Sequence, residues 1–291
     1  MGHWKIQVAM ATVAAVLVCG VMAYRAPGFV YEVADQRPVP PVETIEYFSD
    51  DLDQVYRLYV QLPPGYPEPG TRYPVLYALD GQVATDLYTN AVLPLIRRRE
   101  IPEIIIVGIG HRGGRGLRLG GTLFDTRRVR DFTPVSDSTF TTAGQADTFL
   151  RFLDESVVPF IDATYQTHRD DRAIGGYELG GLFSCYAKLS DPDVFQRCLS
   201  IAPRFGRAED YVFKIEADLA ASDTPLDGQM YFVTFGDRSS TATVLADTMR
   251  SRRYPDLMIG DAAVSGGAEA GTVESAISDG LRFIYSQPSQ S

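Results

Sequence analysis

The sequence is poor in the side chains that usually bind metals or cross-link small domains. Its 291 residues include three cysteines, three histidines and one tryptophan. Cys19, Cys185 and Cys198 are too few and too widely spaced for a disulfide framework or a zinc site. Cys185 and Cys198 fit two separate buried thiols, or a disulfide if the domain is exported. No grouping of His, Asp and Glu has metal-ligand spacing, so we expect neither a metal nor another cofactor.

Basic charge is also scarce. The 37 acidic residues outnumber the 27 basic ones, of which three are lysines, and the net charge is −10. Such a chain is a poor match for nucleic acid, whose phosphates need a basic surface. Apolar residues make up 45% and aromatic residues 11% of the sequence, which excludes a largely disordered protein. About 250 residues remain after the N-terminal region, enough for one large domain or two small ones.

The longest apolar run lies near the N-terminus. Residues 6–24 carry no charge, and Lys5 and Arg25 bracket them. A helix of this length rises about 28 Å, close to the hydrocarbon thickness of a membrane. We expect a single-pass membrane anchor that places the globular domain on the periplasmic, non-cytoplasmic side. The alternative is a signal peptide with its cleavage site at Val21-Met22-Ala23.

The rest of the chain divides into a spacer and one domain. Four prolines make residues 25–42 a stiff, extended spacer. The domain is predicted over residues 43–287, and residues 1–5 and 288–291 are predicted to be short tails.

Strand-like and helix-like patterns alternate within the domain. Strands are predicted at residues 44–48, 55–62, 75–79, 104–109, 173–177, 198–202, 230–235 and 257–263, and helices at 143–165, 180–189, 208–219, 242–252 and 272–285. This alternation predicts an α/β fold with a mostly parallel central sheet and helices on both faces. Ligand chemistry in such sheets lies at the carboxyl ends of the strands.

A glycine-rich motif follows one of these strands. Residues 108–113 match the dinucleotide pattern G-x-G-x-x-G, but no helix is predicted directly after them. A pyrophosphate site needs that helix N-terminus, so the motif does not indicate a nucleotide cofactor.

Another glycine pair surrounds the most informative turn. Gly176 and Gly180 flank Glu178 between a predicted strand and a predicted helix. Their spacing is that of G-x-S-x-G, the nucleophile elbow of α/β-hydrolases. Small flanking residues permit the sharp, strained turn that presents the central side chain. The central residue here is a glutamate and not a serine.

The elbow and its neighbouring motifs resemble those of a known family. Over residues 43–287 the chain resembles the esterase D and enterochelin-esterase branch of the α/β-hydrolase superfamily, which also includes the mycolyltransferases. The resemblance depends on the order and spacing of the motifs LPPGY at 62–66, YPVLYALDGQ at 73–82, VGIG at 107–110, RDFTP at 130–134, the elbow, and GLRF at 280–283. It implies the α/β-hydrolase fold for the domain.

The resemblance also implies where catalytic residues should lie. The family uses a serine nucleophile, an acid after a late strand and a C-terminal histidine, in that chain order. The three positions are Glu178, Asp237 and Ala270, so the nucleophile and the histidine are missing. We therefore expect no labelling by fluorophosphonate probes. The oxyanion-side loop is implied at Gly81, Gln82 and Leu179.

Two further residues are candidates for a role at the same sheet edge. His111 follows a predicted strand, where it is either a replacement base or an ordinary loop histidine. Where the family carries Ser-Pro-Ser, this chain has Ala202-Pro203-Arg204, followed by Phe205. Glu178 and Arg204 are predicted to form an ion pair across the former active site, the alternative being that both side chains lie in solvent.

Three functions are compatible with these observations, because fold alone does not decide function. The main hypothesis is a catalytically inactive, membrane-anchored esterase-like domain. It would serve as a structural or accessory subunit, with the membrane and other membrane-protein subunits as partners. The second hypothesis is a binding module that holds a cationic ligand in the former pocket at Glu178. The third is an active carboxylic-ester hydrolase with an atypical nucleophile, since a carboxylate can attack when a base then activates water.

Overall fold

The computed structural model describes residues 36–113, 125–136, 143–236, 240–265 and 270–286, apart from the side chains of residues 207 and 270. These residues belong to a unit that spans Asp35–Ser291. The predicted anchor at residues 6–24, much of the predicted spacer and Asp237 lie outside the described residues. Within those ranges, the longest apolar helices are too short or too polar to cross a membrane.

Eight strands form a single sheet in the described part of the chain. They are β1 (Glu43–Ser49), β2 (Gln54–Gln61), β3 (Tyr73–Leu79), β4 (Ile105–His111), β5 (Thr167–Tyr177), β6 (Arg197–Ile201), β7 (Gly228–Phe235) and β8 (Leu257–Val264). Their order is β1-β2-β4-β3-β5-β6-β7-β8, with β1, β2 and β4 joined by antiparallel pairing and all other neighbours parallel. The predicted α/β fold with a mostly parallel sheet is confirmed.

Helices connect the parallel strands. They are α1 (Gly81–Arg97), α2 (Thr126–Phe132), α3 (Ala146–Phe152), α4 (Val158–Thr164), α5 (Leu179–Ser190), α6 (Glu209–Ala220), α7 (Thr241–Arg252) and α8 (Ala270–Ile284). A π-helical turn at Leu153–Val157 joins α3 to α4, so the segment predicted as one helix contains a local change of winding.

The sheet is covered on both faces. On one face, Leu76 of β3 packs with residues of α1 and α8 such as Leu95. On the other face, Tyr77 lies in a cluster with Phe149 of α3 and Phe183 of α5. Because β3 is buried along its whole length, its sequence is continuously apolar rather than alternating.

The strand register brings three turns to one edge of the sheet. Ala78 of β3 pairs with Gly108 of β4 on one side and with Gly175 of β5 on the other. His111 and Glu178 each lie three residues beyond those partners, at the carboxyl ends of their strands. With neighbouring strands about 4.8 Å apart, their backbones are roughly 10 Å from each other across β3. This is the edge at which ligands bind in open α/β sheets.

Candidate active site

Glu178 occupies the turn between β5 and α5 in a strained backbone conformation. Its φ is 52° and its ψ is −109°, a backbone conformation that residues other than glycine rarely adopt. Hydrogen bonds hold this conformation from both sides. The Glu178 N–H donates to the carbonyl of Ile201 at 3.0 Å, and the Glu178 carbonyl accepts from the N–H of Leu182 at 2.9 Å and of Arg204 at 3.0 Å. The half-buried Glu178 carboxylate has no hydrogen bond or ion pair with another described residue.

Two glycines of this turn, Gly176 and Gly181, have no space for a side chain. A Cβ atom on Gly176 would lie 2.4 Å from the carbonyl carbon of Gly180, which is backbone and cannot move aside cheaply. A Cβ on Gly181 would lie 2.6 Å from the carbonyl oxygen of Ile201. Only glycine allows β5, α5 and β6 to approach this closely. The elbow predicted from the glycine spacing is therefore present, with Glu178 at its centre.

A buried ion pair joins the turn that follows β3 to helix α2. Arg128 of α2 donates from Nη2 to Oδ2 of Asp80 at 2.9 Å, and its Nε makes a second contact with the same carboxylate. The Nη2 group also reaches the carbonyl of Tyr177, the residue before the elbow, at 3.4 Å. Both ionic side chains are at least 93% buried. The pair fixes α2 across the carboxyl edge of the sheet, a contact that sequence reasoning did not anticipate.

His111 is held by a second buried cluster. Its Nε2 lies 2.6 Å from Oδ2 of Asp131. Asp131 also accepts hydrogen bonds from the hydroxyl of Tyr56 at 2.6 Å and from Nε of Arg130 at 2.6 Å. The Asp131 side chain is fully buried and that of His111 is 7% exposed. His111 is thus an oriented, nearly buried histidine, although whether it replaces the catalytic base stays a prediction.

The charges of this cluster follow from its contacts. Burial raises the pKa of Asp131, but the hydrogen bonds from His111 and Arg130 outweigh burial and bring it below its usual value. Asp131 is therefore ionised at neutral pH. Burial, reinforced by the charge of Asp131, raises the pKa of Tyr56, so its phenol stays a neutral donor.

The residues implied for the oxyanion side lie at helix starts. Gly81 and Gln82 begin α1, and Leu179 begins α5. Gly81 makes a close backbone approach to β4, because a Cβ on Gly110 would lie 2.8 Å from the Gly81 Cα. Ala270, the implied histidine position, is the first residue of α8.

The predicted ion pair between Glu178 and Arg204 is wrong, since no ionic contact within 4.0 Å joins these two described residues. The two residues meet through their backbones instead. The turn after β6 passes through Ala202 at a φ of 45° and directs the Arg204 N–H to the Glu178 carbonyl. The Arg204 side chain is exposed. A solvent-exposed ion pair contributes too little free energy to hold this side chain against the elbow.

A cavity of about 460 Å³ lies at the carboxyl ends of β6 and β7, and its lining residue Arg204 donates a backbone hydrogen bond to Glu178. Its walls come from the turn after β6, the end of β7 and the start of α7. The lining residues are Ala202, Pro203, Arg204, Phe205, Gly206, Thr234, Phe235, Ser240, Thr241 and Ala242. Within the described ranges, no group of three or more His, Cys, Asp and Glu side chains is arranged to hold a metal ion.

Comparison with protein families identifies the group to which this fold and elbow belong. The family model named Esterase, described as "Putative esterase", matches residues 49–224, more than half of the chain. The chain belongs to the esterase family. The predicted resemblance to the esterase-like branch of the α/β-hydrolases is confirmed, and the matched region includes Asp80, His111 and Glu178.

Two curated esterases and one solved structure illustrate the relationship. The ferri-bacillibactin esterase BesA of Bacillus subtilis is 30% identical over 189 residues, 60% of this chain and 63% of that protein. The apo-salmochelin esterase of Escherichia coli is 25% identical over 214 residues, 67% of this chain and 62% of that protein. This chain thus spans just over three fifths of the length of these relatives. The crystal structure of the BES protein from Bacillus cereus matches the fold with a TM-score of 0.73 at 23% identity, covering 88% of this chain and 99% of that one.

These comparisons correct the main functional hypothesis. The relatives are named as esterases, so the expectation of a catalytically inactive accessory subunit is contradicted, and so is the expectation that the chain is no enzyme. The expectation of an inactive protein rested on the absence of a serine at position 178 and of a histidine at position 270. The rest of the chain keeps the esterase pattern over residues 49–224. The structure retains a strained strand-to-helix elbow, with Glu178 at its centre.

Proposed function

We propose that this chain is a carboxylic-ester hydrolase in which Glu178 is the catalytic base. The observation that carries the proposal is the strained elbow conformation of Glu178, at φ 52° and ψ −109°. Such a conformation costs about 1–3 kcal/mol and persists where the surrounding structure enforces it, as at active sites. Membership of the esterase family supports the class of reaction.

The chemistry at this turn needs a base, a stabiliser of negative charge and a proton for the leaving alcohol. Glu178 takes a proton from water, and the hydroxide adds to the carbonyl carbon of the ester. First-turn N–H groups of α5, beginning at Leu179, have no intrahelical acceptor and stabilise the oxyanion. Collapse of the intermediate breaks the bond to the alcohol oxygen, which receives the proton back from Glu178. The products are one carboxylic acid and one alcohol.

Glu178 is assigned as a base and not as a nucleophile for a chemical reason. Attack by its carboxylate on an ester carbonyl would form an anhydride, which then needs a second group to activate water. The described histidine at this edge, His111, has its Nε2 engaged with Asp131. A single carboxylate that activates water completes the reaction without a second group.

The proposal is tested by ester hydrolysis after treatment with a fluorophosphonate. We expect 4-nitrophenyl butyrate to be hydrolysed before and after treatment, with no probe attached to any serine in the intact mass, because the elbow contains none. Loss of activity together with labelling of one serine would assign catalysis to that serine. Triacetylfusarinine C, the siderophore named for one relative, is a natural ester to test in parallel. Failure of the untreated protein to hydrolyse either ester would contradict the proposal.

We also propose that residues 6–24 anchor this esterase in a membrane, with the domain on the non-cytoplasmic side. The support is the uncharged run bracketed by Lys5 and Arg25. The intact mass of detergent-extracted protein should include residues 1–24. A mature N-terminus at Tyr24 would show a cleaved signal peptide instead.

A further inference from the structure

The cavity near the elbow contains a positive charge that no carboxylate of the described residues neutralises. Arg204 lines this cavity, and its exposed guanidinium has no ionic partner among the described residues. The arginines of α2 differ in this respect, since Arg128 is bound to Asp80 and Arg130 to Asp131. A guanidinium without an ionic partner in the described part of the chain stands out in a protein with a net charge of −10. It favours a negatively charged ligand group at this position.

Arg204 is also connected directly to the proposed catalytic turn. Its N–H donates to the carbonyl oxygen of Glu178 at 3.0 Å, so the two backbones are in contact. Ala202 and Gly206, on either side of it, have positive φ values of 45° and 48°. The loop that lines the cavity is therefore joined to the backbone of Glu178 in a defined conformation. A ligand whose ester group lies at Glu178 can extend into the cavity.

The other walls define what else the cavity accepts. Pro203 and the half-buried ring of Phe235 provide apolar surface, and Thr234 and Thr241 provide hydroxyl groups. The volume of about 460 Å³ is at the small end of ligand pockets, which run from about 300 to 1,000 Å³. It is large enough for a short acyl chain or a single ring.

We propose that the preferred substrates of this esterase are small esters that carry a carboxylate, which binds Arg204 while the ester carbonyl lies at Glu178. The inference deepens the proposed function and rests on it. Arginine suits this role because it stays charged and offers two parallel N–H donors to a carboxylate. An ester without the carboxylate contacts only the apolar part of the cavity, and the Arg204 guanidinium stays hydrated.

The test compares matched esters that differ by one carboxylate. 4-Nitrophenyl hydrogen succinate and 4-nitrophenyl butyrate share a leaving group and differ at the end of the acyl chain. 3-Carboxyphenyl butyrate and phenyl butyrate place the same difference on the alcohol side. We expect the wild-type protein to prefer the carboxylate member of at least one pair in kcat/KM. Arg204→Met should reduce that preference by about two- to fivefold, as expected for loss of one solvent-exposed ion pair.

A matched control separates a local effect from general loss of surface charge. Arg169 is an exposed arginine near the amino end of β5, at the opposite edge of the sheet. Arg169→Met should leave the preference unchanged. Added salt should weaken the wild-type preference because it screens the exposed Arg204.

The outcomes also distinguish this inference from the proposed function. Hydrolysis of all four esters without preference, or with a preference that Arg204→Met does not alter, would overturn the inference and leave the esterase proposal standing. If no ester is hydrolysed, the carboxylate site is tested separately by measuring the binding of succinate by calorimetry. Binding that Arg204→Met weakens about two- to fivefold would support the carboxylate site, and equal binding or no binding would overturn it.

Discussion

Replacing Glu178 by glutamine is expected to lower kcat for ester hydrolysis by about 10²–10⁴-fold, the usual contribution of a positioned general base. Glutamine has nearly the same shape but cannot accept the proton of the attacking water. The side chain makes no contact with another described residue that the amide would break, so the folded structure should be retained. Steady-state hydrolysis of 4-nitrophenyl butyrate measures the effect, with the thermal midpoint recorded for the same preparations.

Glu209 provides the matched control for this change. It is an exposed glutamate at the first position of α6. Glu209→Gln should hydrolyse the ester at the wild-type rate. If Glu178→Gln does so as well, the elbow carboxylate is not the base, and the proposed mechanism is wrong.

Replacing Asp131 by asparagine should have the largest effect on stability. The change leaves Arg130 without its buried anionic partner and removes an acceptor from Tyr56 and His111. Removing one partner of a buried ionic cluster typically lowers the free energy of unfolding by about 3–5 kcal/mol. Urea unfolding followed by circular dichroism measures the loss. Asp51→Asn is the control, because Asp51 pairs with Arg151 in an exposed contact that should contribute about 0–1 kcal/mol.

The pH dependence of stability provides a second readout for Asp131. Its pKa in the folded protein lies below the usual value, so the folded state favours the ionised carboxylate. This contribution is present above the unfolded pKa of about 4 and is lost as the pH falls through the lower folded pKa. The wild-type protein should therefore lose stability in acid more steeply than Asp131→Asn. Equal stability of Asp131→Asn and Asp51→Asn at neutral pH would contradict the role assigned to the cluster.

Local sequence patterns are sufficient to predict most of the sheet and the elbow. The buried runs of β3 and β4 are continuously apolar because neither face meets water. The elbow is predictable because its glycines have no substitute where backbones approach as closely as Gly176 and Gly180 do. Such features depend on residues that are close in the chain.

Other features of the fold and site depend on contacts that no local pattern records. Helix α1 was not predicted, because it begins after Asp80, which has a φ of 83° and no side-chain cap, and contains Pro94. The Asp80–Arg128 and His111–Asp131 contacts join residues 48 and 20 positions apart in the sequence. The Glu178–Arg204 ion pair was predicted from adjacency at the sheet edge, but nearness of two turns does not fix where a long side chain lies.

Chemical rescue of a Glu178→Ala variant tests the central claim, that this carboxylate is the base of an esterase, most directly. Alanine removes the base and leaves space at the elbow, where formate added to the solution can take the proton of the attacking water. The account predicts weak hydrolysis of 4-nitrophenyl butyrate by Glu178→Ala and a rate that rises with formate concentration. The same formate additions should leave the wild-type rate unchanged. Hydrolysis by Glu178→Ala at the wild-type rate without formate would contradict the claim.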